Sequence, residues 1–174
     1  MRRPLFVSLP ILLVAVLAAG CGRPQAKVEQ LPTGPLTKDE YIHAFEVSAN
    51  GLARRYGVPA DDAGSAKPAD QDRRVAALQR FLRAWADRLA GLHPPAEAAR
   101  AQIRFVAGVR GFATDLDRVR AALGRGDPKG AARLLDTGRV VSPGTKADLE
   151  AGRKAFHRLD YSIHNLDRTP VKTG

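Results

Sequence analysis

Glu40-Tyr-Ile-His43 places a carboxylate and an imidazole three residues apart. On a helix that puts both on one face, the spacing with which helical bundles hold di-metal carboxylate centres. Such a centre needs a second Glu-x-x-His and two further inward glutamates, and this chain has only one such motif. Asp160 and His164, four apart, would make a small polar pair or one corner of a site on a helix; an ordinary solvated surface has the same spacing. His157 and His164 are too far apart along one axis to share an ion, and His93 falls in a Pro-Pro turn. No metal and no cofactor is expected.

Covalent and acid–base chemistry has as little to stand on. The chain has no GxSxG, SxxK, HExxH, P-loop or GxGxxG pattern. Ser48, Ser65, Ser142 and Ser162 lack a local activating base, and Ser142 before Pro143 reads as a helix cap. Asp61-Asp62 lies in a linker and Asp115/Asp117 sits beside Arg118 and Arg120, where no carboxyl is driven to the raised pKa of a general acid. The expectation is a protein that is not an enzyme.

Cys21 is the one residue whose setting implies a covalent event. It is the only cysteine, so no disulfide can form within the chain. Arg2 and Arg3 make a positive start, an apolar run of about 15 residues follows, and Leu17, Ala18, Ala19 and Gly20 approach the cysteine. The run falls short of the roughly 20 residues that span a bilayer as a helix. It reads as a signal peptide over residues 1–20. The tetrad before Cys21 resembles the lipobox of bacterial lipoproteins, with Ala18 where leucine is commonest. That resemblance implies a diacylglyceryl group on the Cys21 sulfur, which becomes the mature N-terminus. An incidental cysteine behind an ordinary Sec signal is the alternative. Two acyl chains hold a protein stably on a membrane, so the expected location is lipid-anchored at the cell membrane, outside the cytoplasm. Gly22 rather than aspartate follows the cysteine, which leaves the outer membrane open in a host with two membranes. Residues 22–36, with Pro24, Pro32 and Pro35, form a tether that would extend to roughly 45 Å at polyproline rise.

The elements beyond the tether are helical. Val75, Leu78, Leu82, Trp85, Leu89 and Leu92 recur at 3 and 4 residues, and only a helix aligns them. Thr37 and Glu40 form a capping box for a first helix running to Gly57, with Leu36 stapling against Tyr41 and an apolar series of Ile42, Phe45, Ala49, Leu52 and Tyr56. Asp70 is read as the cap of the second helix, which ends near Gly91. A third runs from Pro95 to Leu123 through Phe105, Val109, Phe112, Leu116 and Val119. Gly108 and Gly111 interrupt it, either for close approach of another backbone or as a kink. Asp127-Pro128 starts a short cross-piece with Ala131, Leu134 and Leu135. Ser142-Pro143 starts the last helix, whose Leu149, Gly152, Phe156, Leu159, Ile163 and Leu166 carry the same spacing. The fold expected over residues 37–166 is all-α, an up-down-up-down four-helix bundle with a short extra cross-helix and the second helix central to its core. Residues 167–174 have no apolar period and read as a disordered tail.

The lipobox, the proline-rich tether and the Leu36-Thr37-Lys38-Asp39-Glu40-Tyr41 helix start together resemble small, uncharacterised lipoproteins of high-GC, actinobacterial type. The resemblance implies a lipid anchor and a helical domain, and no activity. Extra cysteines are frequent in such proteins and absent here.

Charge supplies the partner expectation. The formal net charge is +10, and loss of Arg2 and Arg3 with the signal leaves 26 basic against 18 acidic residues, or +8. Arginine outnumbers lysine 21 to 7, a bias that high genomic GC would also produce. No aromatic–basic interleaving or nucleic-acid reader motif occurs, so nucleic acid is not an expected partner. Arg73, Arg74, Arg80, Arg83 and Arg88 mostly lie opposite the apolar stripe of the second helix. They would suit anionic lipid, a wall polymer or an acidic envelope protein, or simply water. The functional expectation is a non-catalytic binding or interaction module of the cell envelope. The alternative is a small-ligand or metal carrier that uses the bundle interior.

Overall fold

In the computed structural model, Thr37 opens the first described helix through the expected capping box. Its hydroxyl accepts the Glu40 amide at 3.4 Å, while the Glu40 carboxylate accepts the Thr37 amide at 2.9 Å. The structure describes residues 36–55 and 67–167, all helices and connections with no strand among them. These residues fall within one unit, Leu31–Gly174. The elements are α1 Lys38–Ser48, α2 Leu52–Arg55, α3 Pro68–Ala90, a 3-10 turn Ala96–Ala98, α4 Ala99–Asp115, α5 Asp117–Gly124, α6 Pro128–Asp136, α7 Pro143–Arg158 and α8 His164–Asp167. The signal segment, Cys21, the tether, the expected end of the first helix at Gly57, most of the linker and the tail from 168 onward lie outside the described residues.

The apolar stripes hold. Leu82, Trp85, Leu89 and Leu92 are buried on the α3 side, and Phe105, Val109, Phe112, Leu116, Val119 and Leu123 along α4 and α5. Several boundaries differ from the expectation. α1 stops at Ser48, because Gly51 at φ +74° turns the chain before Leu52 restarts it. α3 begins at Pro68 rather than being capped by Asp70. Proline needs no amide partner at the first helical position, so Lys67 stands at the cap and Asp70 falls in the first turn, paired with Arg73. α4 and α5 are separated at Leu116 instead of forming one helix. There the Ala113 carbonyl accepts the Gln79 side-chain amide at 2.8 Å, and the Asp115 carboxylate accepts the Ser142 amide at 2.7 Å. α7 ends at Arg158, well before Leu166, as Asp160 enters the left-handed region at φ +55°. Ile163 and Leu166 are nevertheless buried.

Gly108 and Gly111 mark a close approach of helices, and the break lies beyond them at Leu116. A Cβ on Gly108 would stand 2.6 Å from Leu149 Cγ and 2.7 Å from its backbone nitrogen. One on Gly111 would meet Thr145 Oγ1 at 2.5 Å, and one on Gly152 would lie 2.7 Å from the Phe105 backbone nitrogen. The matched positions 105/152, 108/149 and 111/145 rise on α4 as they fall on α7, so these two helices run antiparallel. The pairs Asp87–Arg110, Gln79–Ala113 and Asp72–Arg120 show the same opposition between α3 and α4–α5. α4, not α3, is therefore the central helix, packed against α3 on one side and α7 on the other.

Short α1 fills the core out of proportion to its length. Phe45 is fully buried, and its ring centroid lies 5.5 Å from Phe105, 5.7 Å from Phe156, 6.0 Å from Tyr41 and 6.3 Å from Trp85. Most of these contacts are edge-on or tilted, the geometry that aromatic quadrupoles favour. α6 is peripheral and packs on α5; only its Ala131 is buried, and Leu135 is 43% exposed.

Candidate functional site

Glu40, His164 and Ser142, three of the residues that the sequence offers for chemistry, make structural contacts. Glu40 serves the capping box, which holds its carboxyl below the usual range by hydrogen bonds from the Thr37 amide and hydroxyl. His43 is exposed one turn further on. Among the described residues no three His, Cys, Asp or Glu side chains group as metal ligands would. Asp160 and His164 are not successive positions of one helix, since the chain turns between them. His164 pairs instead with Glu46 of α1, the ring Nδ1 3.0 Å and the backbone amide 3.1 Å from Glu46 Oε1. The His164 amide, then its ring, keep the Glu46 carboxyl below its ordinary range. Ser142 caps α7 as expected, its hydroxyl accepting the Thr145 amide at 3.3 Å.

Ser48, which has no role legible from sequence, sits at a buried junction. The Trp85 indole N–H donates to its hydroxyl at 2.7 Å, and that hydroxyl donates to the Phe45 carbonyl at 2.6 Å. Arg88 donates to the Ser48 carbonyl at 3.0 Å from the outside. This joins α1 to α3 where α1 ends. A second polar junction holds α3 to α5. Arg120 reaches both Asp72 oxygens, at 2.8 and 3.2 Å, and lowers that carboxyl's pKa through these hydrogen bonds. Gln79 spans Ala113 O and Asp117 Oδ1 at 2.8 and 2.7 Å.

The five arginines of α3 are not equivalent. Arg73 pairs with Asp70, and Arg88 is turned back to the Ser48 and Asn50 carbonyls. Arg74 is half-buried, whereas Arg80 and Arg83 are exposed. Asp87, on the same side of the helix, holds Arg110 at 2.9 Å. The surface reaching solvent is therefore less basic than the sequence suggests. The lipobox residues and Cys21 lie outside the described residues.

A different cationic grouping stands on α7, which spacing alone had not singled out. Ala151, Arg153, Lys154, His157 and Arg158 line an open hollow of about 610 Å³ on its exposed side. Among the described residues no acidic side chain lines it. Glu150 lies next to it, 4.0 Å from the Lys154 ammonium. The helix end below is satisfied by another element: Lys38 of α1 donates to the Leu159 carbonyl at 3.0 Å and stands 5.0 Å over the Tyr161 ring. Tyr161 donates to Glu97 at 3.2 Å, and burial, then that carboxylate, push its phenol up to about 12. Burial likewise raises the phenol of Tyr41, whose hydroxyl has no partner among the described residues.

Comparison with known protein families, with curated proteins and with solved structures finds no match to this chain.

Proposed function

We propose that this is an exported lipoprotein, anchored through Cys21 and working as a non-catalytic binding module of the cell envelope. The single observation that supports the reading best is how the interior is used. Tyr41, Phe45, Trp85, Phe105 and Phe156 are joined in one network of ring contacts where a carrier would place its cargo. The charged exterior is then the working part. In this reading the antiparallel α3, α4–α5 and α7, closed by α1, are an up-down-up-down four-helix bundle with α6 as its cross-piece. The protein is of the small actinobacterial lipoprotein type, and its basic exterior meets anionic lipid, wall polymer or an envelope protein. The carrier reading keeps one supporting observation, the buried Tyr41 hydroxyl and Gln102 carbonyl oxygen, which have no partner among the described residues.

Expression of the full chain with Cys21→Ser tests the anchor. Loss from the membrane fraction, or a precursor that no longer matures, supports it; unchanged fractionation and mass refute it. Native mass spectrometry of the full chain in neutral detergent tests the interior. A bare polypeptide-plus-lipid mass fits the module, and a retained metal or small molecule makes it a carrier.

A further inference from the structure

We infer that the hollow on α7 is a binding site for the phosphate of anionic membrane lipid, with Arg153, Lys154 and Arg158 as its cations. Three observations converge on it. The hollow collects four basic side chains within two turns of one helix, and among the described residues no carboxylate lines it, Glu150 standing beside it 4.0 Å from Lys154. Lys154 and Arg158, four residues apart, repel one another along the helix. Cations in a last helical turn ordinarily serve the terminal carbonyls and the dipole. Here Lys38 already serves the Leu159 carbonyl, so capping does not account for the cluster. Arginine supplies the planar fork that matches a phosphate's oxygens, and lysine adds a point charge.

The place of the hollow selects the lipid source. Lys38 contacts the carbonyl that follows α7, so the chain enters the described domain beside the end of α7 that carries the hollow. Fifteen residues separate Cys21 from Thr37. A lipid on Cys21 would thus tether the domain by its hollow-bearing end, and anionic headgroups would lie within reach. The lipid assignment rests on the anchored reading proposed above; the anion site itself does not.

The test uses the isotopically labelled full chain in dodecyl maltoside micelles doped with phosphatidylglycerol or, as control, phosphatidylcholine. The amide signals of residues 153–158 should shift saturably with phosphatidylglycerol and not with phosphatidylcholine. Arg153→Gln with Arg158→Gln should weaken that response about 25-fold, roughly fivefold for each basic residue at an anionic surface. Arg80→Gln with Arg83→Gln should leave it unchanged. Tryptophan emission and melting temperature establish that each variant is folded. A phosphatidylglycerol response spread equally over α3, or retained by the α7 double variant, overturns the site. Inorganic pyrophosphate in undoped micelles separates the sources: a response to it without one to phosphatidylglycerol overturns the lipid assignment, and no response to either overturns the site. Cys21→Ser fractionation reads the anchor independently, so failure of the anchor and failure of the hollow are distinguishable.

Discussion

Gly152→Ala should destabilise the protein although alanine is the better helix former. At an exposed mid-helical position the change would stabilise by about 1 kcal/mol. At position 152 the new methyl would stand 2.7 Å from the Phe105 nitrogen and 2.8 Å from its Cα, both backbone atoms of α4. A side chain could rotate away; a helical backbone must move as a unit, and Phe105 is packed among Phe45, Trp85 and Phe156. Overpacking of this kind costs about 1–3 kcal/mol, and backbone on the far side places it at the upper end. Set against the propensity gain, the net loss is about 2 kcal/mol, a melting shift of roughly 4–8 °C for a domain of this size. Trp85 is the only tryptophan and is buried, so urea or thermal unfolding can be followed by its emission. Gly144→Ala is the control, because among the described residues nothing lies within 4 Å of its added Cβ. If Gly152→Ala proves as stable as the parent, or gains as much as Gly144→Ala, the close approach of α4 and α7 is refuted.

Other outcomes follow from the same contacts. Trp85→Ala should cost about 3–5 kcal/mol in urea unfolding, as loss of a buried aromatic anchor does; an unchanged midpoint would place the ring at the surface. Ser48→Ala should cost about 1–3 kcal/mol, because the buried indole N–H loses its acceptor; the parent's urea midpoint would show that the Trp85–Ser48 bond does not form. Alkaline pH acts through Tyr161. Folding favours the neutral phenol, so this contribution is whole below about pH 10, the unfolded value, and is lost as pH rises through about 12. Absorbance at 295 nm should show Tyr161 and Tyr41 ionising together with unfolding, and reversible ionisation of both near pH 10 in a folded protein would contradict their burial.

What was legible in the sequence was periodic or local. The 3-4 spacing of Leu82, Trp85 and Leu89 needs no partner to be read, and the Thr37–Glu40 box closes within four residues. What was not legible depends on groups far apart in the chain. Nothing near Leu116 announces that Gln79, 34 residues earlier, will take the Ala113 carbonyl. Leu159, Ile163 and Leu166 kept the helical spacing past the end of α7, so spacing alone predicted a helix that Asp160 terminates. The candidate site was obscured for a related reason. Sequence shows charge but not its partners: α3 carries more arginines than α7, yet Arg73 and Arg88 are engaged by Asp70 and the Ser48 carbonyl, and Asp87 offsets the rest.

The Lys38–Leu159 contact fixes more than a helix end. It ties the first turn of the described fold to its last long helix, 121 residues apart in sequence. If the chain is anchored as proposed, tension would thus enter the domain at a point braced by the start of α1 and the end of α7. A pull on residue 36 would load Lys38, Tyr161 and the end of α7 together, instead of peeling α1 away from the core alone.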